Sequence, residues 1–242
     1  YVRTVESLAK SYNAGTIVIA ADGGSSYRKE IFPEYKANRK VKYAEQTPQE
    51  EKEFAMFMAE FSNTLTLLKE KYPVFQFKGV EADDIAAYIS MNLDNIGDIW
   101  LISSDKDWDL LINYKVSRFS TVTRKEVTLD NWDEHYNFDV PDYITFKCLC
   151  GDKGDNVPGI PGIGPKRAVQ LMEQYGDVFD IYNACPIEGK YKFIQSLNEN
   201  AEQLLMNVEL MDLVTYSETA IGVQNTEVIN NTLKRHLNEN RL

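Results

Sequence analysis

Three short apolar runs, each followed closely by acidic residues and each separated from the next by a helical pattern, constrain this chain more than any other feature. Thr16 to Ala21 is followed by Asp22, Val74 to Phe77 by Glu81, Asp83 and Asp84, and Ile99 to Ile102 by Asp105 and Asp107. Runs of this length bounded by Gly or polar residues read as buried strands. Between them, Thr47, Pro48 and Glu50 announce a helix by capping box and first-turn proline. Phe54, Phe57, Met58, Phe61, Leu65 and Leu68 then follow the helical period. Glu81 to Leu93 reads as another helix and Val116 to Val122 as a further strand. Strands alternating with helices imply an α/β fold with a mostly parallel central sheet flanked by helices. Val2 to Tyr12 reads as a helix already under way before the first strand, so a further strand is expected upstream of Tyr1.

From about Pro141 onward the strand signal fades. Asp142 to Cys150 and Pro165 to Tyr175 read as helices around the Gly/Pro-rich stretch Gly151 to Gly164, and the remainder through Leu242 reads as mainly helical. The expected division is an α/β core over 1–140 and a helical region over 141–242. A hydrophobic content of 43% is enough for a sizeable core and excludes wholesale disorder. No apolar run approaches the roughly 18 residues of a membrane span, so no membrane partner is expected. Three cysteines make no disulfide framework, and Cys148 and Cys150 are spaced too closely for a zinc pair. The expected setting is a reducing, cytoplasmic one.

A net charge of -11 argues at first against a polyanionic partner. The position of the acids changes that inference. Asp22 ends a strand, Glu81, Asp83 and Asp84 open a helix, Asp105 and Asp107 follow a strand, and Asp152 and Asp155 sit in the Gly-rich turn. Each group has an ordinary reading, such as solvated surface or first-turn acids that suit a helix dipole. As a set they stand where open α/β sheets gather their sites, beyond the C-terminal ends of strands. Eight carboxylates in one small volume would raise one another's pKa values unless cations neutralised them. Oxygen donors without His or Cys select Mg²⁺ or Mn²⁺. Two such ions about 4 Å apart can serve the attacking and leaving oxygens of a phosphodiester. Setting those eight aside leaves a net charge of about -3, which no longer excludes DNA.

Two segments have compositions suited to nucleic acid. In Arg28 to Lys42, six basic residues face two acidic ones and interleave with Phe32 and Tyr35, with Tyr27 and Tyr43 alongside. That composition tracks phosphates and stacks bases. In Gly159 to Arg167, Gly162 and Gly164 let backbone amides approach a ligand, Pro165 starts a helix whose N-terminus attracts phosphate, and Lys166 and Arg167 add charge. Pro165 occupies the place where a Walker A loop needs lysine, so this is not one. It suits a sequence-independent grip on a duplex backbone.

Taken in order, these motifs resemble the structure-specific 5′-nuclease family, which includes phage flap endonucleases and the N-terminal nuclease domain of bacterial DNA polymerase I. The residues are Asp22, Pro33-Glu34-Tyr35-Lys36 with Arg39, Gly79-Val80-Glu81-Ala82-Asp83-Asp84, Ser103-Ser104-Asp105-Lys106-Asp107, and Gly151-Asp152 with Asp155-Asn156, Pro158-Gly159, Gly162, Gly164 and Lys166. They span about Thr16 to Gly176.

The resemblance implies a PIN-like core and a divalent-metal 5′-3′ exonuclease and flap endonuclease acting by two metal ions. Its implied partners are branched or flapped DNA and RNA–DNA primers in replication, bound by a monomer. Asp22, Glu81, Asp83, Asp84 and Asp105 would surround one ion, and Asp107, Asp152 and Asp155, with Asp105 nearby, the other. Lys36 and Arg39 would stabilise charge on the scissile phosphate at the base of a helical arch over about 36–68, and Tyr35 would stack on a nucleobase. A helix–three-turn–helix over about 145–176, with Gly162, Gly164, Lys166 and Arg167, would bind duplex DNA through a K⁺ ion held by backbone carbonyls. The family's first strand ends in an aspartate within Asp-Gly-x-Asn, which nothing before Asp22 supplies. Two other classes stay open at this point: a structure-selective DNA-binding protein that has lost catalysis, and another acid-cluster enzyme such as a PIN-type nuclease or a phosphatase.

Overall fold

A computed structural model describes residues 1–92 and 97–239. The chain runs through α1 (Val2–Ser11), β1 (Ile19–Ala20), α2 (Ser26–Ile31), α3 (Ala37–Ala44) and the long α4 (Pro48–Lys69). Next come β2 (Val74–Phe75), α5 (Ala82–Asn92), β3 (Ile99–Ile102), a 3₁₀ turn (Lys106–Leu111), β4 (Val116–Phe119) and β5 (Glu126–Val127). The helical part comprises α6 (Tyr143–Cys150), a hairpin of β6 (Gly151–Asp152) and β7 (Val157–Pro158), α7 (Pro165–Tyr175), α8 (Val178–Ala184) and α9 (Lys192–Glu199). It closes with α10 (Ala201–Met211), α11 (Leu213–Ile221) and α12 (Val223–Glu239). Among the described residues no helix is long and apolar enough to cross a membrane.

The α/β alternation is present, with shorter strands than the apolar runs suggest. β1 lies parallel to β2, with Ile19 opposite Val74, and β3 lies parallel to β4, with Ile99 opposite Val116. β5, which has no clear signal in the sequence, returns antiparallel to β4. Among the described residues the pairs form two ladders rather than one continuous sheet. The run Thr16 to Ala21 contributes only Ile19–Ala20 because its partner is short. Pro73 has no N–H to extend the ladder, and after Phe77 the chain turns at Gly79 (φ +80°). β4 stops at Phe119 instead of Val122, because Ser120 and Arg124 (φ +59°) close a turn into β5. The second expected helix begins at Ala82; its expected end at Leu93 lies outside the described residues.

The α4 capping box forms as expected, with the Thr47 side chain accepting from the Glu50 amide and the Glu50 carboxylate accepting from the Thr47 amide. Its apolar stripe is only partly used. Leu65 and Leu68 are buried, whereas Phe54, Phe57 and Met58 are exposed. Twenty-two residues make a helix about 33 Å long, and only its C-terminal third reaches β2. The basic tract Arg28 to Lys42 is carried largely by α2 and α3.

Three apolar clusters hold the molecule together. One lies under the helical part, with Leu149, Ile160, Ile181, Leu197 and Leu204. A second joins β3 and β4 to Leu111, Trp132 and Tyr143. The third brings Ile221, Ile229 and Leu233 of α11 and α12 back onto Phe75 and Ile85. The C-terminal helices therefore cover the face of α5 that carries the acidic motif on its first turn. Asn207, fully buried on α10, donates to the carbonyls of Cys148 and Pro158 and ties α10 to the β6–β7 hairpin.

The 3₁₀ turn after β3 is anchored by Asp109, which has no exposed surface. It accepts from Arg118 through both oxygens (2.5 and 2.9 Å) and from the Tyr136 hydroxyl (2.5 Å). Asp109→Asn would leave the buried Arg118 guanidinium without its counter-charge. We expect unfolding stability to fall by about 3–5 kcal/mol in urea titrations. A loss below about 1 kcal/mol, the scale of an exposed pair, would show that this pair does not hold the turn.

Candidate active site

Each acidic motif is aimed by a local constraint. Gly79 has φ +80°, and a Cβ there would stand 2.3 Å from Ser26 Oγ, so only glycine lets the chain turn tightly into Val80 and Glu81. Asp22, just past β1, accepts from the Ala82 amide (2.9 Å) and caps the N-terminus of α5. Asp105 caps the 3₁₀ turn, accepting from the Asp107 amide at 3.0 Å. Gly151, at φ +71°, would bring a Cβ 2.2 Å from the Gly159 amide, which confines the entry of the β6–β7 hairpin to glycine. Within that hairpin the Asp152 carboxylate accepts from the amides of Gly154 (2.8 Å) and Asp155 (3.1 Å).

Cations lie between the carboxylates thus presented. Arg28 joins Glu81 to Asp84. Lys36 contacts Glu81 and reaches Asp155 at 3.5 Å. Lys147 contacts Asp107 and reaches Asp152 at 3.4 Å. Arg39 binds Asp155 at 2.7 Å. Segments 81–84, 105–107 and 152–155 are thereby brought to one place with the base of α3. Asp22 takes part through the α5 amide rather than through another side chain. Among the described residues no three acidic, histidine or cysteine side chains are grouped so as to hold a metal ion together as they stand. The Lys36, Lys147 and Arg28 heads fill the gaps.

The electrostatics mark where negative charge is least compensated. Burial pushes the Asp83 carboxyl up to about 7, and Asp105 and Glu81 push it the same way against Trp108 and Lys36. Trp108 Nε1 donates to Asp83 at 2.5 Å, its direct partner among the described residues. Burial also raises Asp84 and Asp107, against the pull of Arg28 and of Lys147 respectively. Asp152 is shifted the other way: burial opposes its ionisation, but Lys147 and the amides of Asp155 and Gly154 outweigh it. Lys147 stays charged despite its burial because Asp107 and Asp152 face it. The donor set is oxygen only, and Asp83 and Asp105, which no ion pair joins to a cation among the described residues, offer hard donors beside Glu81 that suit a divalent cation.

Tyr35 is a correction. It was expected to stack on a nucleobase, but its ring is 4% exposed, packed in the cluster of Cys148 and Leu149, and its hydroxyl donates to Asp155 at 2.8 Å. The ring is buried because its polar end is needed inside. Lys36 follows it in the left-handed region (φ +57°), with its amide donating to the Asp155 carbonyl at 2.8 Å. A non-glycine residue held there marks a backbone bent to aim the side chain. The basic tract is likewise divided: Arg28 is buried, Lys36 is mostly covered, and Arg39, Lys40 and Lys42 face solvent.

On the far side of the hairpin, Gly162 (φ +81°) turns the chain toward α7, and Gly164 and Pro165 begin that helix. Arg167 donates to the Gly162 carbonyl at 2.5 Å, and its guanidinium lies 4.6 Å over Phe193. Lys166 is exposed at the N-terminus of α7. Arg28, Trp108 and Lys147 escaped the sequence reading. Arg28 looked like one more member of a basic tract, and Lys147, five residues before Asp152, was the only one whose spacing offered a signal.

Burial of the Asp83 carboxyl makes the stability of the fold depend on pH. That carboxyl rises from the ordinary 3.8 to about 7 on folding, so its contribution is present in full at acid pH and is lost as pH rises through about 7. In EDTA, Asp83→Asn is expected to be more stable than the parent at pH 8, and this gain should shrink toward pH 4 in parallel urea titrations. A gain of equal size at both pH values would place its cause elsewhere.

Comparison with known proteins bears on this arrangement. Residues 1–137 match the family model of the 5′-3′ exonuclease N-terminal resolvase-like domain, and residues 139–233 that of the 5′-3′ exonuclease C-terminal SAM fold. The chain is 44% identical to the flap endonuclease of Escherichia phage T5 over 97% of this chain and 81% of that protein. It superposes on the structure of T5 5′-exonuclease with bound zinc at a TM-score of 0.92, with 43% identity, over 98% of this chain and 89% of the other. A T5 flap endonuclease pseudo-enzyme–product complex with DNA and metal ions matches at a TM-score of 0.92 and 42% identity, over 100% of this chain and 90% of that one. With an acid-lined α/β core, a helical region and both family models matched along its length, the chain belongs to the 5′-3′ exonuclease and flap endonuclease family of nucleases.

Proposed function

We propose that this chain hydrolyses phosphodiester bonds at 5′ flaps and primer ends of branched DNA, RNA–DNA primers included, as a monomer in the cytoplasm of a bacterial or phage-infected cell. One observation carries the reading. Acidic motifs separated by up to 74 residues, from Glu81 to Asp155, are bridged by a single lysine at the base of α3, beside the segment 145–176, where a helix–three-turn–helix would suit a duplex. The phage T5 relatives bind divalent ions, and one of them DNA, which supports the same ligands here.

Asp83, Glu81 and Asp105 would hold one Mg²⁺ or Mn²⁺ ion, with Asp22 and Asp84 around it, and Asp107, Asp152 and Asp155 the second. When bound, the ions supply Lewis acidity toward the scissile phosphate and the attacking water. Lys36 and Arg39 add positive charge where the transition state accumulates negative charge. Lys36 would leave Glu81 and Asp155 for the phosphate, and those two carboxylates would then be free to hold the ions. Tyr35 keeps Asp155 in place through its hydroxyl. Away from the acids, Lys166 and the amides at the start of α7 hold the duplex phosphates. Gly162 and Gly164 shape this turn for a K⁺ ion; Arg167 already takes one of its carbonyls, that of Gly162.

This division of labour separates two mutants. Lys36→Ala should lower single-turnover cleavage of a 5′-flap substrate in Mg²⁺ by about two orders of magnitude or more, with a dissociation constant changed only several-fold. Lys166→Ala should weaken binding and flatten its salt dependence by about one phosphate contact, with near-normal cleavage at saturating DNA. EDTA should abolish cleavage by the parent. Cleavage that survives EDTA, or equal losses of rate and affinity in both mutants, would overturn the proposal.

A further inference from the structure

Arg28 is 3% exposed and its guanidinium makes four hydrogen bonds. Nη1 donates to Glu81 Oε2 and Asp84 Oδ2, both at 2.7 Å, and Nη2 donates to Asp84 Oδ1 at 2.8 Å. Nε donates to the carbonyl of Leu210 at 2.7 Å. Leu210 is the penultimate residue of α10, so this carbonyl is one that the helix itself cannot satisfy. The C-terminal end of a helix also attracts positive charge. One side chain therefore closes α10, in the helical region, and grips two carboxylates that flank the first turn of α5. Tyr27, its neighbour on α2, makes the same crossing, donating to Glu209 on α10 at 3.2 Å and stacking near Tyr216 on α11.

Charge alone does not account for this arrangement. Lys36 already neutralises Glu81, and a lysine at position 28 would supply the same charge from a single point. What arginine adds is a planar fork that fixes both Asp84 oxygens and one Glu81 oxygen at once. We propose that Arg28 is a positioning residue: it orients Glu81 and Asp84 for divalent-metal binding and makes that orientation depend on the seating of α10 against α2. This rests on the function proposed above, and it gives the helical region a part in shaping the acidic site as well as in holding a duplex.

The test is Arg28→Lys in the full chain, with three readouts. Mn²⁺ binding without DNA, followed by isothermal titration calorimetry below the melting temperature of each protein, should weaken about tenfold or more. The Mg²⁺ concentration for half-maximal single-turnover flap cleavage should rise by a similar factor. Flap binding in Ca²⁺ should change less than about threefold, because it is carried by dispersed backbone contacts. A merely structural arginine would lower the melting temperature and leave Mn²⁺ affinity within twofold of the parent, which would overturn the inference. Should Arg28→Lys not fold by circular dichroism, Arg28→Gln combined with Asp84→Asn replaces the ion pair by neutral amides without stranding a buried charge. The same Mn²⁺ titration then decides, with Asp84→Asn alone as the reference because Asp84 belongs to the proposed metal site: a further tenfold weakening in the double variant supports the inference, and affinity equal to that of Asp84→Asn overturns it. If the parent binds Mn²⁺ yet cleaves no flap, the functional proposal fails while the titration still judges Arg28.

Discussion

Carboxylates from distant parts of a chain can share a small volume only if positive charge lies between them, and the rest of this structure follows from how that requirement is met. Arg28, Lys36 and Lys147 each bridge two acidic groups; Lys36 and Lys147 join acids of different segments, whereas Arg28 holds the two acids at the start of α5 and ties them to α10. Desolvating so many ions is costly, and the geometry has to be nearly ideal for mutual attraction to offset that cost. The surrounding fold supplies such geometry through short, doubly constrained segments: a glycine turn at Gly79, a capped α5, a 3₁₀ turn pinned by Asp109 and a hairpin entered through Gly151.

The bridges are not equivalent. Arg28 and Lys147 are almost wholly covered, whereas Lys36 sits at the mouth, on a residue whose backbone is held in the left-handed region. A cation at the edge of the cluster can exchange partners more readily than one sealed beneath it, because water can solvate it during the exchange. Among the described residues Asp83 has the Trp108 indole as its direct partner, and Asp105 acts on it against the weaker pull of Lys36.

Packing reinforces this division. The acid-bearing elements are backed by separate apolar clusters, and α11 and α12 return from the helical region to cover β2 and α5. The exposed N-terminal part of α4, with Phe54, Phe57 and Met58, has no such backing and stands free of the core. Elements that aim carboxylates are backed by buried clusters, while the N-terminal part of α4 is left exposed to solvent.

Much of this was legible from residue order. The apolar runs and the capping box at Thr47 specify an α/β alternation because period and cap chemistry are local properties. The placement of acids beyond strand ends specifies that they gather, because parallel sheets send those ends to one side. Strand length was not legible, since a ladder extends only as far as its partner allows, and Pro73 and Gly79 bound that partner. The burial of Arg28 and of the Tyr35 ring was equally hidden. In sequence both belong to a tract of alternating bases and aromatics, and nothing local separates a solvated arginine from one whose four hydrogen bonds end on Glu81, Asp84 and Leu210. Chain order alone thus determined which groups are present and which end of the sheet they reach. Only the tertiary structure decided which cation lies between which acids, because that depends on contacts between residues as far apart as Arg28 and Leu210.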